Sequence, residues 1–232
     1  MSSMQLHESQ HHAKLMALGE MSATVIHEIR NALTTVLMGL HAMRSQDLDD
    51  LDQVKLRLSL AEAERIQRLL TQLLQYSKPS TNDRSDIELN SFVESIVESQ
   101  RFIFATEVDR IHFYPSQSSL TCLMNRDKLK QILINLIANA CEASPNDAVV
   151  TCRIKSDQPS NHACIEIHNW GVPIAADLLE QITQPYITTK MNGNGLGLFI
   201  VQQLIQEQEG LLKIQSSAEN GTLISVTLPQ GG

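Results

Sequence analysis

The sequence predicts an α + α/β protein: an N-terminal helical hairpin followed by a mixed domain of strands and helices. Three observations carry this expectation. From His7 to Ser77 there is no proline and there are only two glycines, Gly19 and Gly39, among abundant Leu, Met, Ala, Gln and Glu. Lys78-Pro-Ser-Thr-Asn-Asp83 then has the proline and polar cluster of a linker. Beyond it, short β-rich runs alternate with helical ones.

In the first helix, apolar or small residues recur in steps of three and four at Leu15, Leu18, Ser22, Val25, Ile29, Ala32 and Val36, a heptad seam. A second seam runs Leu56, Ser59, Ala63, Ile66, Leu70, Leu73, Ser77. Between them Arg44-Ser-Gln-Asp-Leu-Asp-Asp50 is polar and acidic, a turn leading into a helix start. Each helix also has apolar flanks beside its seam (Ile26, Leu33, Leu37, Leu40; Leu60, Leu69, Leu74), too wide for one hairpin to bury. Pairing two hairpins hides them, so a homodimeric four-helix bundle is expected. The boundaries expected are 1–77 for the hairpin, 78–84 for the linker and 85–232 for the second domain. There, strands are expected at Ile111 to Tyr114, Leu120 to Met124, Val149 to Ile154, Ala163 to His168, Leu211 to Gln215 and Thr222 to Leu228. Helices are expected at Asn90 to Phe104, Asp127 to Ala143, Ala175 to Ile182 and Leu198 to Glu209, and the last two strands form a hairpin through Glu219-Asn-Gly221.

Composition narrows the function. Hydrophobic residues at 42% and charged ones at 19% belong to an ordinary folded protein. Eighteen Lys+Arg against 26 Asp+Glu leave a net charge of -8, which argues against a general nucleic-acid or anionic-membrane binder. No apolar run reaches the roughly 18 residues of a membrane span, and the polar N-terminus lacks the apolar middle of a secretory signal, so a cytoplasmic protein is expected. Cys122, Cys141, Cys152 and Cys164 show no CxxC spacing and read as buried free thiols.

Five short segments carry candidate chemistry. His27 falls at the outward f position of the heptad, with Glu28 beside it and Asn31 one turn on. A carboxylate that takes the Nδ1 proton leaves Nε2 free as a nucleophile, which suits phosphoryl transfer to the ring; the alternative is a solvated surface histidine. Asn135 and Asn139 share a face of a helix otherwise rich in Ile and Leu. Buried amides need partners, and a hard cation bridging nucleotide phosphates would satisfy one, as would hydrogen bonds to nearby backbone. Asn169-Trp-Gly-Val-Pro173 follows a strand, and Gly193-Asn-Gly-Leu-Gly-Leu198 opens a helix, where glycines and free amides allow close approach of phosphate. Pro185-Tyr-Ile-Thr-Thr-Lys190 ends in a lysine suited to a terminal phosphate. Trp170, the one tryptophan, stands in the first of these glycine turns.

In order and spacing these segments resemble the sensor histidine kinases of two-component signalling, over almost the whole chain. Lys14 to Leu33 looks like the phosphoacceptor box, Asn135 to Ala143 the N box, Asn169 to Ile174 the first glycine box, Pro185 to Lys190 the F box and Gly193 to Gly197 the second glycine box. The resemblance implies a dimerisation and phosphotransfer hairpin followed by a Bergerat-type α/β sandwich that binds ATP. It implies His27 as the phosphoacceptor, Glu28 as its base and Asn31 as the residue that orients water for regulator dephosphorylation. It implies Asn139 as a Mg²⁺ ligand, and Asn135, Asn169, Gly171, Thr189, Lys190, Gly193, Gly195, Leu196 and Gly197 as ATP-binding residues. The expected partners are a second copy, a response regulator receiver domain and an upstream or separate sensor module, since few residues precede the phosphoacceptor helix.

Three positions depart from the family pattern. Ala32 stands where the box usually has proline, so the helix should lack a kink there. Asn169 replaces the usual adenine-reading Asp; its amide oxygen can still accept the adenine amino proton, without the charge. Pro173 replaces a glycine and stiffens the turn. These last two motivate a rival reading, a phosphotransfer or scaffold protein with a degenerate nucleotide site; a second rival is the same ATP fold with other chemistry.

Overall fold

The structure, a computed structural model, describes residues 29, 31–44, 48–77, 83–104, 109–157, 162–190 and 195–231. The chain divides into two compact units, 1–81 and 82–232.

In the first unit, α1 (31–43) is followed by α2 (Asp50–Ser77). Asp49 starts α2: its carboxylate accepts from Asp52 N at 2.7 Å, satisfying one of the orphan donors of the first turn. α1 runs unbroken through Ala32, and Thr35 Oγ1 donates to Asn31 O at 3.2 Å, so the described helix has no proline-type break. On α1 the intrachain contact lies one residue away from the expected seam, while on α2 Leu56 and Ala63 of the expected seam are buried. Leu37, Leu56, Leu60 and Ala63 are buried, with Leu33, Leu40 and Leu48 packed on them, whereas Ile29 and Val36 are exposed. The physical reason is area. A stripe of leucines buries more apolar surface than one built on Ala32 and Val36, so the leucines expected as flanks take the contact.

The second unit is built on a five-stranded sheet in the order β2-β4-β5-β7-β6. Its strands are β2 (Ile111–Tyr114), β4 (Val150–Asp157), β5 (His162–Asn169), β6 (Leu211–Ser217) and β7 (Gly221–Pro229). β2 and β4 are parallel and the other pairs antiparallel. The register places Cys152 beside Ile167 and Ile167 beside Ile224, and Ile154 beside Ile165 and Ile165 beside Val226. One face of the sheet is therefore a continuous apolar surface. Helices α3 (Leu89–Ile103), α4 (Arg126–Ala143) and α6 (Gly197–Glu207) cover it with Val93, Val97, Leu133, Leu136, Val201 and Ile205. Helix starts follow from their caps. Glu88 accepts from Asn90 N and Ser91 N, and the Ser91 hydroxyl and amide hold its carboxyl below the usual range. Asn125 accepts from Asp127 N and Lys128 N.

Two elements differ from expectation. A short β1 (Ser85–Glu88) pairs antiparallel with β3 (Thr121–Met124), although Ile87 is its one buried residue and gives no alternation to read. α5 (Ala176–Leu179) is half the expected length; it has no side-chain cap and buries nothing, so no packing extends it before the turns that lead to Pro185. All four cysteines are buried thiols, and burial pushes the Cys122 and Cys152 thiols up to about 12 and Cys141 to about 11. Among the described residues no helix is long and apolar enough to cross a membrane.

Candidate functional site

α4 supplies the centre of the site, because its apolar residues Ile132, Leu133, Leu136 and Ile137 bury one side and leave Asn135 and Asn139 at the edge of the core. Asn135 is 8% exposed. Its Oδ1 accepts from Gln131 Nε2 at 3.2 Å, while its Nδ2 is a buried donor with no partner in the described chain. Such an orphan costs free energy unless a ligand meets it. One turn on, Asn139 Oδ1 accepts from the Lys190 ammonium at 3.1 Å, and the same ammonium bonds Glu142 Oε2 at 2.6 Å.

The start of α6 faces this edge. A Cβ placed on Gly197 would stand 3.4 Å from Asn139 Nδ2, and Leu196, 8% exposed, is the N-cap residue of the helix. A helix N-terminus with its positive dipole end is suited to anionic oxygen. Gly195 has φ +66°, and a side chain there would run into the backbone of Tyr186 and Ile187. Its carbonyl accepts from Tyr186 N at 3.0 Å, which ties the segment after α5 to the start of α6.

Asn169 ends β5, 4% exposed, opposite Thr222 of β7. The turn after it packs tightly on the end of α4: a Cβ on Gly171 would collide with the Ala143 carbonyl. Ser216 Oγ accepts from Ile174 N at 3.0 Å and lies 2.8 Å from Thr222 Oγ1, fixing the turn from the other side. Trp170 is about half exposed and stands edge-on to His168, ring centroids 5.1 Å apart.

The structure thus gathers Asn135, Asn139, Lys190, Gly195, Leu196 and Gly197 around α4 and the α6 start, and sets Asn169 and Gly171 at the end of β5. Thr189 is exposed, and it is Thr188 whose Oγ1 takes the Lys190 amide at 3.1 Å. Asn31 is exposed on α1. His27, Glu28 and Gly193 lie outside the described residues. Sequence reading missed Glu142 and Thr222. The first is three residues beyond Asn139 on the same helix face, and the second follows from the register that starts β7 opposite the end of β5. Among the described residues no three His, Cys, Asp or Glu side chains converge as a metal site. A phosphate-bridged cation nonetheless fits the donor set. The amide oxygen of Asn139 already holds a positive group, and the Asn135 donor and the positive end of the α6 dipole are both suited to anionic oxygen.

This sheet, covered on one face, with an amide pair on α4 opposite a glycine-opened helix start, matches a family model of the histidine kinase-, DNA gyrase B-, and HSP90-like ATPases over residues 124–232. A second family model, the His Kinase A (phospho-acceptor) domain, matches residues 17–82. Sporulation kinase C of Bacillus subtilis (strain 168) is 34% identical over 93% of this chain and 50% of its own length. In fold, the chain is similar to full-length ShkA crystallised with AMPPNP, with TM-score 0.72 and 19% identity over 91% of this chain and 46% of that one. It is also similar to histidine kinase ThkA in complex with the response regulator protein TrrA, with TM-score 0.66 and 25% identity over 100% of this chain and 68% of that one. The chain belongs to the histidine kinases of two-component signalling. It spans half or less of the length of the curated relatives it matches.

Proposed function

We propose that the chain is the catalytic part of an ATP-dependent protein-histidine kinase, with residues 1–77 as dimerisation and phosphotransfer hairpin and 85–232 as the ATP-binding domain. The observation that carries the reading is the pairing, on α4, of an unpartnered Asn135 donor with an Asn139 oxygen that holds a cation, in a chain that also matches a phosphoacceptor domain. Asn135, Lys190, Gly193, Gly195, Leu196 and Gly197 hold the phosphates. Thr189 lines the same segment. Asn169 and Gly171 border the base. Asn139 ligates Mg²⁺, which when bound neutralises phosphate charge.

His27 Nε2 attacks the γ-phosphorus as the bond to the bridging oxygen breaks, and ADP leaves with that electron pair. Glu28 takes the Nδ1 proton, so the ring ends as a neutral phosphohistidine. An aspartate of a response regulator receiver domain then accepts the phosphoryl group. The likeness to a histidine kinase crystallised with such a regulator supports this. A second copy completes a four-helix bundle. Its support is the exposed apolar series of Ile29 with Val36 and Met43 of α1, at heptad spacing, with Leu51 and Leu58 on α2.

Asn31 orients water toward the regulator's aspartyl phosphate. Asn31→Ala is therefore expected to slow regulator dephosphorylation about tenfold or more while leaving autophosphorylation within about twofold. Parallel loss of both activities would make Asn31 structural.

Incubation with radiolabelled ATP and Mg²⁺ tests the whole reading. Acid-labile, base-stable phosphate is expected on the wild type. Its absence from a folded dimer would favour the scaffold reading raised by Asn169 and Pro173.

A further inference from the structure

Lys190 lies where the proposed cation belongs. Its ammonium is 3.1 Å from Asn139 Oδ1 and 2.6 Å from Glu142 Oε2, so one positive group already occupies the amide oxygen assigned to Mg²⁺. Glu142 is placed to keep it there: three residues after Asn139, it stands on the same face of α4. The ion pair is only partly shielded, with the side chains 33% and 52% exposed, so its hold is modest and can yield.

Two cations cannot share one amide oxygen at hydrogen-bond and ligand distance without strong repulsion. The geometry points to Glu142 as a positioning residue: it holds Lys190 as a stand-in cation on Asn139, and arrival of Mg-nucleotide displaces the ammonium toward the phosphates. This rests on the nucleotide reading above.

The consequence is a coupling between two side chains that no passive surface pair would show. Glu142→Gln weakens the hold on Lys190 and is expected to tighten Mg-ATP binding about two- to fivefold, the scale of a partly exposed ion pair. In a Lys190→Met background there is no ammonium to displace, and Glu142→Gln should give no tightening. The tightening should also be larger with Mg²⁺ than with ATP in EDTA, where nothing competes for Asn139. Trp170 fluorescence, checked by calorimetry, reads all four proteins, and their melting temperatures confirm that each is folded.

An equal effect of Glu142→Gln in both backgrounds would mean that the carboxylate acts on the nucleotide directly, and would overturn the proposal. So would weaker binding in the single variant, or the same gain with and without Mg²⁺. Failure of the wild type to bind ATP at all would overturn the nucleotide reading, and the stand-in with it. Wild-type binding with an additive cycle would remove the stand-in alone.

Discussion

His27→Gln is expected to abolish acid-labile phosphorylation, with a fall of at least about 1000-fold, the scale of removing a covalent nucleophile. The substitution is chosen so that only chemistry changes. The heptad spacing of the sequence predicts an outward position for His27, glutamine is a good helix former of similar polarity, and an amide nitrogen cannot accept the phosphoryl group. Helix content and dimer mass should be those of the wild type. Nucleotide binding, read at Trp170, should also persist, because the second unit has its own apolar core. Persistent phosphate on the variant that resists acid would put the nucleophile on a hydroxyl, and the chemistry would be that of a different kinase. Loss of nucleotide binding along with phosphate would instead make His27 a structural residue.

Much of the fold was legible because it rests on local signals. The strands of the second unit follow from alternation such as Ile224, Val226, Leu228, all of which point into the core. α4 follows from its apolar periodicity, although its start at the Asn125 cap was not read. What escaped depends on contacts that local pattern does not encode. Ile87 gives β1 no readable period. In α1, two stripes one residue apart, Ala32 with Val36 and Leu33 with Leu37, both carry heptad spacing, and only the match to Leu56 and Leu60 decides which one turns inward. The site divides in the same way. Asn135 and Asn139 stand out as amides on an apolar helix. Glu142 reads as a solvated face until Lys190, 48 residues away, is brought to it. Thr222 reads as a strand residue until the sheet sets it beside Asn169.

Arg110 is the least conspicuous of these residues in the sequence, and its replacement by methionine is expected to cause the largest loss of stability. It is 5% exposed, at the approach to β2. Its Nη2 donates to the carbonyls of Cys141, Ser144 and Pro145 at 3.1, 3.3 and 2.8 Å, and its Nε to Ala148 O at 3.5 Å. The last carbonyls of a helix have no intrahelical donor, and they gather at the negative end of its dipole. The guanidinium answers both needs at the end of α4. Methionine keeps the apolar stem and removes every donor, taking the guanidinium from the buried carbonyls of Cys141 and Ser144 at about 1–3 kcal/mol each before relaxation. A net loss of about 3–5 kcal/mol is expected, a fall of about 10 °C in the melting temperature for a domain of this size. Arg110→Lys should fall between, since one ammonium cannot span the same fan of acceptors. The site should respond as well: Glu142 and Ala143 form the last turn of α4, and Gly171 packs on the Ala143 carbonyl, so loosening that turn moves the floor beneath the Asn169 turn. A melting temperature for Arg110→Met within about 2 °C of the wild type would show that water replaces the guanidinium without penalty, and that the end of α4 is held by packing alone.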